Sequence, residues 1–386
     1  MTETFDTLET RPAADAFRSL DTPALLLDGE RLERNCDRMR ERLAAQRVAL
    51  RPHVKTAKCV EVAVTALRAP LGPITVSTVR EAEYFVDHGF RDILYAVGVS
   101  GGKVPRLARL ARNGAKIGVI VDSVEAAQAL AQEAARERVD LHALIEIDSD
   151  DHRAGIRPDD ARLFEVARVL GPRLAGVMTH AGESYNCASE GAIEAMATRE
   201  REAAVAAAAA LRGRGFDASV VSVGSTPTAT FGRSFDGVTE VRAGVYVFQD
   251  LVMAGLGVCS VNDIALSVLA TVIGHQRDKG WLITDAGWMA LSRDRGTAKQ
   301  KVDQGYGLVC DTAGRPIEPM IVADANQEHG IVARRDRGAI DFARFPIGSR
   351  IRVLPNHACA TAAQFGEYQV LREGRPAEVW ERFGGW

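Results

Sequence analysis

The sequence predicts an α/β protein: a (β/α)8 barrel followed by a separate β domain. Three observations predict it. Up to about residue 258, short β-rich runs alternate with amphipathic or alanine-rich helical stretches. Nine strand candidates fall before residue 250. Beyond 258, strands follow one another through turn signals, with no long helical pattern between them. Residues 30–258 are therefore assigned to the barrel and residues 259–386 to the β domain.

In order, the strand candidates lie near residues 24–27, 48–50, 74–76, 93–96, 117–121, 141–147, 174–179, 220–223 and 240–243. Between them, residues 31–46, 124–138 and 190–214 read as helices, the last rich in alanine and closed by Gly213 and Gly215. Eight strand–helix units close a barrel, so the first of the nine strands needs a place elsewhere. In the β domain, residues 266–273, 281–284 and 350–354 are strands. Lys279-Gly280, Thr312-Ala313-Gly314 and Pro346-Ile347-Gly348 punctuate them.

Hydrophobic residues make up 46% of the chain, enough for a sizeable core, and a net charge of −3 points to neither nucleic acid nor an anionic membrane. No apolar run approaches a membrane span in length. The acid-bearing start, Met1 to Leu20, lacks the basic beginning and apolar centre of a signal peptide, so a cytoplasmic location is expected. Cys36, Cys59, Cys187, Cys259, Cys310 and Cys359 show no CxxC pairing, which favours free thiols over a disulfide frame.

The chemistry centres on Arg51-Pro52-His53-Val54-Lys55-Thr56-Ala57-Lys58. Pro52 suits a strand end better than a helix interior, which sets Lys55 where the strand near 48–50 runs out. Partial burial and the cations Arg51, Lys58 and His53 would disfavour the ammonium form and make Lys55 nucleophilic enough for Schiff-base chemistry. A solvated basic loop is the commoner fate of such a stretch.

Barrel enzymes often hold a phosphate at the loops after the seventh and eighth strands, on backbone N–H groups that small residues leave open. With the first strand outside the barrel, these loops are Gly224-Ser225-Thr226-Pro227-Thr228 and Ala243-Gly244-Val245-Tyr246. Each alone is an ordinary glycine-containing turn. Together with Lys55 at the same end they favour a phosphate-bearing carbonyl cofactor, and pyridoxal phosphate is the one that joins a lysine as an imine. Two more strand ends add polar groups: Glu146, Asp148, His152 and Arg153 after the fifth, and His180, Glu183 and Tyr185 after the sixth. His152 is as much a structural histidine as a ligand contact, whereas the small neighbours of His180 leave room for a ligand.

A further cluster is Pro355-Asn356-His357-Ala358-Cys359. On an extended segment, the i, i+2 spacing sends both side chains to one face, where an imidazole and a thiolate can share a metal ion. Alone, an H-x-C spacing is a weak signal.

As a set, Asp21-Thr22-Pro23-Ala24, Arg51 to Thr56, Thr179-His180-Ala181-Gly182, Gly224 to Thr228, Arg242 to Tyr246, Asp285-Ala286-Gly287 and Pro355 to Cys359 resemble the D-threonine aldolase and D-serine dehydratase family. The resemblance runs from Asp21 to Trp386. It implies the alanine-racemase-like fold, a pyridoxal phosphate barrel followed by a β domain that the first strand, within residues 1–29, joins. It implies Lys55 as the catalytic lysine that carries the cofactor, with Ser225, Thr226, Gly244 and Val245 at its phosphate. His180 and Tyr185 would lie at the cofactor face and Arg153 near the pyridine ring or its oxygen. His357 and Cys359 would hold a divalent metal, with Zn, Mg, Mn and Co not distinguished. A small amino-acid substrate is implied, and a homodimer in which the partner's β domain closes each site. Residues 1–20 stand outside the family pattern, with no evident role.

The expected reaction is a dehydration. Lys55 removes the Cα proton of a 3-hydroxy D-amino acid, the cofactor ring takes up the charge, and the metal makes the β-hydroxyl a leaving group. D-threo-3-hydroxyaspartate would give oxaloacetate and ammonia, and D-serine would give pyruvate. A retro-aldol cleavage uses the same lysine and metal, though aldolases of the family resemble H-x-D rather than H-x-C. A racemase has no use for the metal, and a non-catalytic pyridoxal phosphate carrier resembles a barrel without the β domain.

Overall fold

The computed structural model describes residues 16–68 and 71–386 and divides the chain into two compact units. One is a barrel unit of Glu33–Val247, Leu256–Ser260 and Phe383–Trp386; the other is a β unit of the chain up to Leu32, Phe248–Gly255 and Val261–Arg382.

The first strand, β1 (Ala24–Asp28), belongs to the β unit. The barrel unit contains β2 (Ala49–Leu50), β3 (Ile74–Val76), β4 (Asp92–Gly98), β5 (Lys116–Val121), β6 (His142–Ile147), β7 (Leu174–Thr179), β8 (Val220–Val223) and β9 (Glu240–Val241). They pair in parallel in the order β2-β9-β8-β7-β6-β5-β4-β3. The ring closes just past the short β2, where Thr75 N donates to Pro52 O at 2.8 Å and Val54 N to Thr75 O at 2.9 Å. Lys55 follows directly on this closing contact.

Parallel strands covered on both faces read as continuous apolar runs. All three residues of β3 are buried, and Leu94, Ile120, Leu144 and Met178 pack together across β4, β5, β6 and β7. The intervening helices start where the sequence offers hydroxyl caps. Ser123 accepts from Ala126 N ahead of Val124–Glu137, and Ser189 from Ala192 N ahead of Glu190–Arg212. Since every barrel strand runs the same way, all the loops after their C-terminal ends share one end of the barrel.

In the β unit follow β10 (Leu266–Gln276), β11 (Trp281–Thr284), β12 (Leu308–Cys310), β13 (Pro316–Ala325), β14 (Gly330–Arg334), β15 (Arg350–Leu354), β16 (Glu367–Arg372) and β17 (Arg375–Glu381). The long β10 organises them. It pairs with β15 along one side, while on the other its first half pairs antiparallel with β1 and its second half with β11. The run β11-β14-β13-β12-β15-β10 thus returns on itself as a six-stranded barrel, and β1, β16 and β17 extend it. The first of the nine strands in the sequence reading therefore has its place, between β10 and β16. Ahead of it, Phe17 is fully buried against Leu26, Leu269 and Leu371, a core role for a segment in which the sequence showed none. Residues 1–15 lie outside the described residues.

Candidate active site

At the barrel's strand-end face, Lys55 is exposed, and its backbone N–H donates to His53 Nδ1 at 3.5 Å. The expected partial burial of this lysine, among uncompensated cations, is not what the fold provides. Arg51 donates to Glu240 at 2.7 Å and to Asp92 at 2.8 Å, and Lys58 pairs at 3.3 Å with the fully buried Glu81, so both cations are compensated by carboxylates. His53 is not a cation. Burial, followed by the charges of Lys55 and Arg242, pushes its pKa well below the ordinary histidine value.

His180, at the end of β7, donates Nδ1–H to Gly224 O at 3.0 Å. Burial, and then Lys55, with Arg242 and Arg153 behind it, lowers its pKa to about 3. It is therefore a neutral ring with Nε2 as an acceptor. Tyr185 lies on the same loop, its ring centroid 6.3 Å from that of His180. Arg242, 4% exposed, holds the strand ends together by donating to Ser222 Oγ and Thr179 O, each at 2.5 Å. Arg153 extends outward and reaches the buried Glu146 at 3.3 Å; burial raises the pKa of that carboxyl against the pull of Arg153.

The two glycine loops meet at this face. Ser225 caps the short helix Thr226–Phe231 in a reciprocal pair with Thr228, and its hydroxyl shares a hydrogen bond with Ser184 at 2.8 Å. Tyr246 N donates to Thr226 Oγ1 at 3.3 Å, joining one loop to the other. Among the described residues, the N–H groups of Thr226, Gly244 and Val245 have no acceptor. At Gly244 a Cβ would stand 2.9 Å from His53 O and 3.0 Å from Thr56 Oγ1, so this loop lies directly against the one carrying Lys55.

Within the β unit, His357 and Cys359 do not sit on an extended segment as expected. His357 is the N-cap of the short helix Ala358–Ala362, and Cys359 is the helix's second residue. The imidazole and thiol still come within hydrogen-bonding reach, because the chain turns between them. His357 Nδ1 lies 2.6 Å from Asp294 Oδ2. Burial opposes a charge on this ring, but Asp294 and Cys359 outweigh it and raise its pKa to about 11. Asp250, 1% exposed, accepts from Ala358 N at 3.0 Å and Met253 N at 2.9 Å, which fixes the start of the helix. Among the described residues, no three His, Cys, Asp or Glu side chains converge as a complete ligand set.

The sequence reading passed over Glu200 and Asp250, and gave Asp294, in a polar run over residues 285–296 that suits either a cleft-lining loop or a surface turn, no role of its own. Glu200 stands in the charge run Arg199-Glu200-Arg201-Glu202, yet helical spacing puts it on the stripe of Ile193, Ala197 and Ala204, and that spacing was its signal. The roles of Asp250 and Asp294 were not legible, since Ala358 and His357, which they meet, lie 108 and 63 positions away.

The alanine racemase N-terminal domain matches residues 27–251, and a serine dehydratase domain matches residues 265–371. The chain is 54% identical to D-threo-3-hydroxyaspartate dehydratase of Delftia sp. strain HT23, over 96% of this chain and all of that one. It is 31% identical to D-serine dehydratase of Dictyostelium discoideum, over 92% and 95% of the two chains. The chain belongs to the D-serine dehydratase and D-threonine aldolase family. Solved structures of D-threo-3-hydroxyaspartate dehydratase include a histidine-to-alanine variant (TM-score 0.94) and a cysteine-to-alanine variant in a metal-free form (TM-score 0.93). Each is 54% identical and covers 95% of this chain and at least 96% of its own.

This family has the alanine-racemase-like fold and uses pyridoxal phosphate with a divalent metal. The residues present fit both groups. An accessible amine at Lys55 faces the barrel end that also offers the open N–H groups of Thr226, Gly244 and Val245, a donor set suited to a phosphate. His357 and Cys359 would supply nitrogen and sulfur donors to a divalent metal.

Proposed function

We propose that this chain is a pyridoxal phosphate- and divalent-metal-dependent dehydratase. It eliminates water from 3-hydroxy D-amino acids, converting D-threo-3-hydroxyaspartate to oxaloacetate and ammonia, with D-serine a slower substrate giving pyruvate. One observation carries the reading. Lys55 at the strand-end face and the H-x-C pair occur together in a chain 54% identical, over nearly its whole length, to a D-threo-3-hydroxyaspartate dehydratase. The two replaced residues in that relative's variants stand two positions apart, the spacing of His357 and Cys359.

When bound, pyridoxal phosphate supplies an electron sink, and the metal a Lewis acid for the departing hydroxide. Lys55 would hold the cofactor through Nζ, and the same amine is the base placed to take the Cα proton. Ser225, Thr226, Gly244 and Val245 would hold the phosphate through backbone and hydroxyl donors. His180, neutral, offers an acceptor near Lys55 without adding a second positive charge. Tyr185 and Arg153 complete the polar rim, and His357 with Cys359 would hold the metal.

A cytoplasmic homodimer whose sites are each closed by the partner's β domain belongs to the same reading; light scattering on active enzyme tests the stoichiometry. For the chemistry, borohydride should fix the cofactor onto Lys55. Ammonia release from D-threo-3-hydroxyaspartate should stop with a chelator and return with a divalent ion. A Lys55→Ala protein that retains the wild-type visible band and its borohydride sensitivity contradicts the lysine assignment. Full turnover in rigorously metal-free protein contradicts the metal assignment.

A further inference from the structure

The buried stripe of the helix Glu190–Arg212 carries a single acid, Glu200, which is 1% exposed. One of its carboxylate oxygens accepts from two backbone N–H groups on different loops, Ala181 at 2.9 Å and Gly224 at 3.0 Å. The Thr228 hydroxyl bonds the same carboxylate. Gly224 is thereby gripped from both sides, since its carbonyl takes the His180 Nδ1–H at 3.0 Å. It has no room to move. Its φ is +132°, and a Cβ there would stand 2.3 Å from Arg242 O. Beyond it, Ser225 and Ser184 tie the two loops a second time. One buried acid thus sets the spacing between the loop bearing His180 and the loop presenting Ser225 and Thr226.

We propose that Glu200 is a positioning residue for the phosphate end of the cofactor, acting through Ala181 and Gly224. The proposal rests on the reading of Ser225, Thr226, Gly244 and Val245 as the phosphate-holding loops. A carboxylate can accept from both N–H groups and from the hydroxyl at once. Alanine leaves two buried donors without partners and lets the loops separate. Glutamine keeps one carbonyl oxygen where both N–H groups point.

The test compares binding of pyridoxal 5′-phosphate and of pyridoxal, which lacks the phosphate, to apoenzyme, read by visible absorbance. Wild type should strongly prefer the phosphorylated form. In E200A that preference should fall about tenfold or more, mainly by loss of affinity for pyridoxal 5′-phosphate, and E200Q should recover most of it. E200D, one methylene too short to reach both loops, serves the same test should E200A not fold. Equal weakening towards both ligands would make Glu200 a general structural residue and overturn the proposal, as would an unchanged preference. A wild type that does not distinguish the two ligands would instead overturn the phosphate-loop reading itself.

Discussion

Asp294 Oδ2 lies 2.6 Å from His357 Nδ1, which sets the imidazole's orientation and leaves Nε2 as the atom that would face the proposed metal. If His357 and Cys359 are the two protein donors to the proposed metal, the orientation of each weighs heavily on its affinity. Asp294→Ala is expected to weaken metal binding by about 10–100-fold and Asp294→Asn by less, since an amide still holds the ring. Titration of metal-free protein with a divalent ion checks this. Equal affinity in wild type and Asp294→Ala would mean that Asp294 does not orient the ligand.

Arg51 joins Glu240 and Asp92 where the barrel closes, and the Arg51 and Glu240 side chains are each only 11% exposed. Removing the guanidinium leaves a largely buried carboxylate without its partner. Arg51→Ala is therefore expected to lose about 3 kcal/mol of stability in urea unfolding, with Arg51→Lys recovering only part, because one ammonium cannot reproduce the fork to two acids. A loss below about 1 kcal/mol would place these charges in the weak surface class.

The class and order of the elements were legible in the sequence because apolar periodicity is local: period-two runs and helical stripes show wherever they occur. The position of Lys55 just past a strand end was legible for the same reason, since Pro52 marks that end three residues before it. Its electrostatic setting was not. Arg51 finds Glu240 from 189 positions away, so the sequence shows a cluster of cations where the fold makes ion pairs. The H-x-C pair shows another limit. Two residues of backbone decide between a strand and a helix start, and Ala358, Ala360 and Ala362 favour the helix. Glu200 was hidden by composition, one acid among four consecutive charges, although its spacing put it on the buried face.

His180 should make the fold acid-sensitive. Its pKa is about 3 in the folded chain against 6.5 unperturbed, so between these values the unfolded chain binds more protons and stability falls as the pH drops. The contribution from this group is at most about 1.4 kcal/mol per pH unit, and none is expected above about pH 7. His180→Asn, whose amide can still donate to Gly224 O, should flatten the slope of unfolding free energy between pH 6.5 and 4. Identical slopes in the two proteins would contradict the neutral, desolvated histidine.

Gly244→Ala tests the contact between the phosphate-side loop and the Lys55 loop. The new methyl would press on His53 O at 2.9 Å and Thr56 Oγ1 at 3.0 Å, in a region closed by hydrogen bonds on both sides. A stability cost of about 1–3 kcal/mol is expected, together with weaker cofactor binding in an absorbance titration. Wild-type affinity for pyridoxal phosphate in this variant would show that the two loops are not coupled.

The central claim is that the bond broken after proton loss at Cα is the Cβ–O bond, and product identity reads this directly. With D-threo-3-hydroxyaspartate, holoenzyme is predicted to give oxaloacetate and ammonia in equal amounts, with solvent deuterium appearing at C3 of the keto acid. Glycine and glyoxylate without ammonia, with deuterium at Cα of glycine, would contradict the dehydratase account and make the protein an aldolase.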